Sequence, residues 1–215
     1  MKIKKKIDEY LEFDSDELFG STDYLEIFGG SVRDCIADLE IHDIDILALR
    51  NSALSASQVL IKNEYQNVSE KLTTKEIHSM YKDVHCIFEP WTFMNKNLKI
   101  VQIIRPCLQG SFNRLNIKNE LIDNFFQTMK EVDLSCCGLS YDGKRVKENC
   151  TDAAIHAYAK VFIKNNHCKM YDDRRTFDRI LKLEDRGWKN ISDMSVYNYG
   201  KWKRKIKINK LNEVS

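Results

Sequence analysis

The sequence predicts an α/β (α+β) fold, a mixed sheet flanked by helices with a small helical region after it. Three observations carry that prediction. Short apolar runs at 24–28, 43–49 and 99–104 have strand character and alternate with helix-like segments. Gly29 and Gly30 end the first run directly before 31–38, which has the composition of a helix start. Beyond Gly143 the pattern turns predominantly helical. The chain therefore divides into a larger unit at 1–145 and a small helical appendage with a basic tail at 146–215.

Taken in order, the elements begin with a helix around Lys4–Phe13, and 14–21 reads as a loop or short helix. The strand 24–28 then runs into the glycine turn. A helix that starts after such a turn aims unpaired N–H groups and its positive dipole end at a bound phosphate. Glycine lets the backbone approach that ligand closely. In the strand 43–49, Ile44, Ile46 and Ala48 face one way, while Asp43, Asp45 and Leu47 face the other. Two carboxylates on one face repel unless a cation sits between them, and hard oxygen ligands suit Mg²⁺ or Mn²⁺. An isolated Asp-x-Asp is an ordinary exposed pair on a half-buried strand. With a phosphate turn upstream it becomes a metal site, and the combination points to nucleotidyl transfer.

Gly29-Gly30-Ser31-Val32-Arg33-Asp34 followed by Asp43-Ile44-Asp45 resembles the nucleotidyltransferase superfamily of DNA polymerase beta. Within it, the segment most resembles the branch of bacterial poly(A) polymerases and class II CCA-adding tRNA nucleotidyltransferases. The resemblance implies a catalytic domain at 1–145 that binds a nucleoside triphosphate with Mg²⁺ (or Mn²⁺). It also implies a third acidic ligand on a returning strand. Asp133, in the run 131–143, is the candidate, and this run resembles the D-F-T-I-N-A-L-A-Y-D stretch of the CCA-adding branch. That branch has two arginines before the aspartate, whereas this chain has Glu131 and Val132. Asp133 otherwise reads as a strand-edge or capping residue, and Glu89 and Asp83 compete for the ligand role. Catalysis and metal binding would fall to Asp43, Asp45 and Asp133. Gly29, Gly30 and Ser31 would hold phosphate. Arg33 either adds a charge-assisted phosphate contact or pairs with Asp34 or Asp38. Asp34 itself reads as structural.

The segment 52–62 reads as helix, and 84–88 joins 99–104 as strand. Leu121, Ile122, Phe125, Phe126 and Met129 recur at helical spacing over 116–130, a core stripe. Cys136 and Cys137, read as adjacent residues of a strand, point to opposite faces and suit buried structural roles. Thr151 is placed to cap a helix reaching Lys164, and Asp172 or Asp173 caps another through Arg186 that Gly187 ends. On that second helix Arg175, Arg179, Lys182 and Arg186 share a face. The face suits a base, a triphosphate or an RNA backbone, or else is a solvated surface paired with Asp178, Glu184 and Asp185. The run 201–210 combines six cations with Trp202, as an RNA-tracking or merely solubilising tail, and its Lys-Ile alternation suggests a short strand.

With 34 basic and 32 acidic residues the net charge is only +2, so any nucleic-acid surface must be local. Seven cysteines without a C-x-x-C pair read as reduced cytoplasmic thiols. No apolar run approaches the ~20 residues that cross a bilayer, so the chain reads as having no membrane partner. The leading functional expectation is transfer of a nucleoside monophosphate from an NTP to an RNA or tRNA-like 3′ end. Modification of protein or tRNA by a toxin-type enzyme, synthesis of a small nucleotide and a catalytically silent nucleotide-binding module are the alternatives.

Overall fold

Burial along one strand sets the architecture: Ile44, Ile46, Leu47 and Ala48 are all fully buried, which demands layers on both faces and strands on both sides. The computed structural model describes residues 2–20, 24–69, 88–106, 132–165 and 173–212. Its main sheet has seven strands. They are β1 (Leu25–Phe28), β2 (Asp43–Ala48), β3 (Gln66–Asn67), β4 (Phe88–Met94), β5 (Ile100–Pro106), β6 (Leu139–Tyr141) and β7 (Val146–Glu148), in the order β3-β4-β5-β2-β1-β6-β7. Only β2 and β5 pair in parallel, every other neighbouring pair being antiparallel. This is the mixed sheet that the sequence predicts.

Four helices accompany the first half: α1 (Lys2–Leu11), α2 (Asp16–Phe19), α3 (Gly30–Ile36) and α4 (Arg50–Lys62). The last of these leaves β2 and packs on β2 and β5, as the parallel pairing requires of a crossover. Helix α1 packs on α3 and is tied to the sheet by Tyr10. The Tyr10 hydroxyl accepts the Ile100 N–H at 2.8 Å and lies 2.7 Å from the His42 carbonyl, to which it donates. It thus satisfies backbone groups on both strands beside Asp43.

After a 3-10 turn at Ser135–Cys137 and the strands β6 and β7 come α5 (Ala153–Tyr158), β8 (Val161–Phe162), α6 (Asp173–Asp185), β9 (Lys189–Asn190) and α7 (Val196–Asn212). The two short strands β8 and β9 pair in parallel as a second sheet. Gly187, at φ 82°, takes the left-handed conformation just after α6, as expected of a glycine stop.

Three expectations are corrected here. The helix foreseen from Thr151 to Lys164 ends at Tyr158, and Lys160, at φ 52°, turns the chain into β8. Asp152 rather than Thr151 precedes it, itself left-handed at φ 63°, and makes no side-chain cap. The Lys-Ile tail is helical, because Tyr199 and Trp202 share a face toward His156 and override the alternation. Residues 84–87 lie outside the described part, and a strand runs from Phe88 to Met94 through Pro90. Among the described residues, β3 pairs with β4 only at Phe93 and Met94, toward the far end from Pro90. The predicted helix 116–130 lies outside the described residues.

Replacing Tyr10 with Phe strands the Ile100 N–H and is expected to lower unfolding free energy by about 1–2 kcal/mol. Urea denaturation should show a lower midpoint with an unchanged slope.

Candidate active site

The site starts from the backbone at Gly29, whose φ of 73° and ψ of −125° are open to glycine and strained for any other residue. Its N–H donates to the Leu139 carbonyl at 2.8 Å, fixing the turn to β6. Among the described residues, no atom beyond its chain neighbours lies within 4 Å of where a Cβ would project, so the turn is open on that side. Ser31 is buried, and its hydroxyl reaches back to the Phe28 carbonyl at 3.4 Å.

Strand register brings this turn to the carboxylates. Phe28 lies opposite Asp45 across the β1–β2 ladder, so Gly29 follows directly beside the Asp43-Ile44-Asp45 end of β2. Asp43 is exposed and Asp45 is half-buried, with Ile44 fully buried on the opposite face. Burial, reinforced by the Asp43 charge and opposed by Arg179, pushes the Asp45 carboxyl up to about 7. A cation bound by the pair would remove that penalty, which is the fit expected of a divalent-metal site. Among the described residues no group of three His, Cys, Asp or Glu side chains is arranged to hold a metal. Mg²⁺ does not require one, since it is commonly held by one or two protein carboxylates with phosphate oxygens and water completing the shell.

Asp133 is 1% exposed, and neither carboxylate oxygen has a hydrogen-bond partner among the described residues. Arg179 Nη2 approaches Oδ1 to 3.4 Å. Burial raises the Asp133 carboxyl above its ordinary range against the pull of Arg179. The structure thus sets Asp133 against Arg179 and does not gather it with Asp43 and Asp45 as a three-carboxylate cluster. Of its competitors, Asp83 lies outside the described residues. Glu89 pairs with Arg105, beyond the Leu47 end of β2 and two strands away from it. Register therefore separates it from Asp43.

Arg33 is 8% exposed and makes the second of its two expected contacts, the pair with Asp34. Its Nε and Nη2 donate to the two Asp34 oxygens at 2.7 and 3.0 Å, and Nη1 lies 3.2 Å from Cys137 Sγ. The guanidinium sits over the Trp188 ring at 5.3 Å. Arg186 reaches the same Asp34 at 3.2 Å. Arg179 on α6 therefore meets Asp133, and Arg186, just past the helix, meets Asp34. Arg175 is half-buried and Lys182 exposed.

The cysteine reading changes as well. Because Ser135–Cys137 is a tight turn and not a strand, Cys136 and Cys137 bring their sulfurs to 3.9 Å instead of facing apart. The hydrogen bond from Cys136, with the charges of Arg33 and Arg179, holds the Cys137 thiol below its ordinary range, while burial raises Cys136. A cleft of about 290 Å³, lined by Lys6, Glu9, Tyr10, Asp38–Ile41 and Lys99, flanks the chain entering β2.

Sequence reasoning missed the closure of this region by Arg186 and Trp188. Their only linear trace is the Arg-Gly-Trp sequence after α6, which carries no sign of its partner at Asp34.

No family model and no curated protein matches this chain by sequence. Solved structures do match by shape. A CCA-adding enzyme in complex with CTP superposes with a TM-score of 0.55 at 14% identity, over 86% of this chain and 40% of the other. One with ATP gives 0.54 at 15%, over 85% and 39%, and the Thermotoga maritima CCA-adding enzyme complexed with tRNA gives 0.51 at 14%, over 86% and 39%. The chain therefore shares its fold with these CCA-adding enzymes, of whose solved chains it spans about 40% of the length.

Two measurements check the electrostatics. Asp34→Ala leaves Arg33 buried without its carboxylate and should cost about 3–5 kcal/mol, whereas Arg186→Ala, at a more exposed pair, should cost about 1 kcal/mol or less in chemical denaturation. For Asp45 the folded pKa of about 7 lies above the ordinary 3.8, so the native state holds the proton more tightly. Its stabilising contribution is complete at low pH and declines as pH rises toward 7. The melting temperature of metal-free protein should fall over that window, and Asp45→Asn should flatten the slope.

Proposed function

We propose that this protein is a metal-dependent nucleotidyltransferase that moves a nucleoside monophosphate from an NTP to the 3′ end of an RNA resembling tRNA, releasing pyrophosphate. The observation that carries the reading is the register of Phe28 with Asp45, which sets an open glycine turn beside two carboxylates in a CCA-adding fold.

Asp43 and Asp45 would hold Mg²⁺ or Mn²⁺, which when bound supplies a lowered pKa for the attacking hydroxyl and charge neutralisation for the triphosphate. The Gly30 and Ser31 N–H groups at the start of α3 would receive the phosphate oxygens, with no side chain at Gly29 to obstruct them. Arg179, whose charge lowers both Asp45 and Asp133, would add positive charge where negative charge builds up on the leaving pyrophosphate. Asp133 acts in this reading chiefly by fixing the Arg179 guanidinium. Arg33 does not touch the nucleotide; paired with Asp34 and stacked on Trp188, it holds α3 and the turn at its start in place.

The acceptor assignment draws on the neighbours that carry CTP, ATP and tRNA, and on the cationic C-terminal helices. Among the described residues no helix is long and apolar enough to cross a membrane.

The test is incubation with labelled CTP or ATP, Mg²⁺ and a pool of small RNAs. Label should enter RNA, and Asp43→Ala with Asp45→Ala should reduce its rate by about a hundredfold or more. Chelation of the metal should abolish it, and Mg²⁺ should restore it. Label on protein, or in a soluble nucleotide product, would instead favour the toxin or signalling alternatives. No transfer with any nucleotide, metal or acceptor would leave a silent binding module.

A further inference from the structure

Helix α7 carries Lys201, Arg204 and Lys205 exposed, with Lys201 Nζ lying over the exposed Tyr197 ring at 4.4 Å. Its inner side is held by polar contacts. Tyr199 stacks on Trp202 with centroids 5.6 Å apart, and both rings pack against His156 of α5. Through His156 runs a chain of hydrogen bonds. Ser135 Oγ lies 2.8 Å from His156 Nδ1, His156 Nε2 lies 2.8 Å from the Tyr199 hydroxyl, and that hydroxyl lies 2.7 Å from Asp152 Oδ2. Lys203 closes the far end on Asp152 at 2.6 Å.

Donor bookkeeping gives this chain one direction. Asp152, ionised beside Lys203, only accepts, so Tyr199 spends its single proton there. The Tyr199 oxygen must then accept from His156 Nε2–H. His156 is 1% exposed and burial favours its neutral form, which leaves Nδ1 as an acceptor for the Ser135 proton. Ser135 Oγ in turn accepts the Ile163 N–H at 2.9 Å. Each group from Ser135 to Asp152 finds its partner, and none can reverse without leaving another unpaired.

Ser135 is two residues from Asp133 and opens the turn that carries Cys137 against Arg33. We propose that His156 is a positioning residue that fixes the cationic helix α7 in register with the Asp133–Cys137 segment of the active site, so that an RNA backbone lying along α7 is delivered to the transfer site at a set distance. The proposal rests on the nucleotidyltransferase reading above. His156 touches neither nucleotide nor RNA, and its effect falls on acceptor binding and not on the chemical step.

The experiment compares wild type, Tyr199→Phe, His156→Leu and His156→Gln, using CTP or ATP and a hairpin RNA with a single-stranded 3′ end. Tyr199→Phe keeps the ring stack and removes the bridging hydroxyl. His156→Gln retains a side-chain N–H to offer Tyr199. The apparent KM for RNA should rise about tenfold in Tyr199→Phe and His156→Leu, with KM for the nucleotide and kcat at saturating RNA within about twofold of wild type. His156→Gln should restore most of the RNA affinity. Amide hydrogen exchange over 196–206 should speed up in the first two variants and stay at the wild-type rate over 43–48, a readout that needs no activity. Unchanged exchange in α7, or a loss of kcat with an unchanged RNA KM, would overturn the proposal. If wild type transfers no nucleotide, the functional reading fails, and the exchange comparison still decides whether His156 docks the helix.

Discussion

The pairing of β1 with β2 is the constraint on which the rest depends. With Phe28 opposite Asp45, the chain leaving β1 must turn beside the carboxylates, and Gly29 makes that turn possible. The register is itself a product of burial. Ile44 and Ile46 are completely enclosed, and a slip of one residue would drive Asp43 and Asp45 into the core. The geometry of the site is thus secured by apolar residues that take no part in its chemistry.

Charge then determines how the C-terminal region attaches. Asp34 and Asp133 are both nearly inaccessible, and a buried carboxylate is tolerable only with a cationic or hydrogen-bonding partner. Asp34 takes Arg33 from its own helix and Arg186 from just past α6, and Asp133 takes Arg179 from α6 itself. The helix is consequently fastened at two points by charge and in between by Leu183, with Trp188 under the Arg33 guanidinium. Loss of either anchor would shift α6 relative to β2, so its basic face serves assembly as well as whatever ligand it meets.

The main sheet was legible because its signals are local. Alternation across Asp43–Ala48, the double glycine and the helix start after it each lie within a few residues, and the paired carboxylates needed only the period of a strand. What escaped is long-range. Nothing near Arg33 distinguishes a phosphate ligand from half of a buried pair, since the deciding partners, Cys137 and Trp188, are distant in sequence. Cys136 and Cys137 are buried as their composition suggests, but a tight turn brings together the side chains that a strand would separate. The Lys-Ile tail misled in the opposite sense: its alternation is genuine, but Tyr199 and Trp202 find their partner in His156 only if the segment is helical.

Electrostatic balance supplies the last step. Asp43 and Asp45 share one end of β2, and the charge of Arg179 acts both on Asp45 and on the buried Asp133. Arg33 cannot serve, because Asp34 already takes its charge. Burial and the Asp43 charge together leave an excess of negative charge at Asp45 that Arg179 only partly offsets, and its carboxyl is raised accordingly. Protons can relieve the excess at low pH, and near neutrality a divalent cation is the more effective remedy. A triphosphate alone would worsen the repulsion, whereas a triphosphate arriving with its metal would remove it. Under the proposed function, the same imbalance would favour a nucleotide that arrives in its metal-bound form.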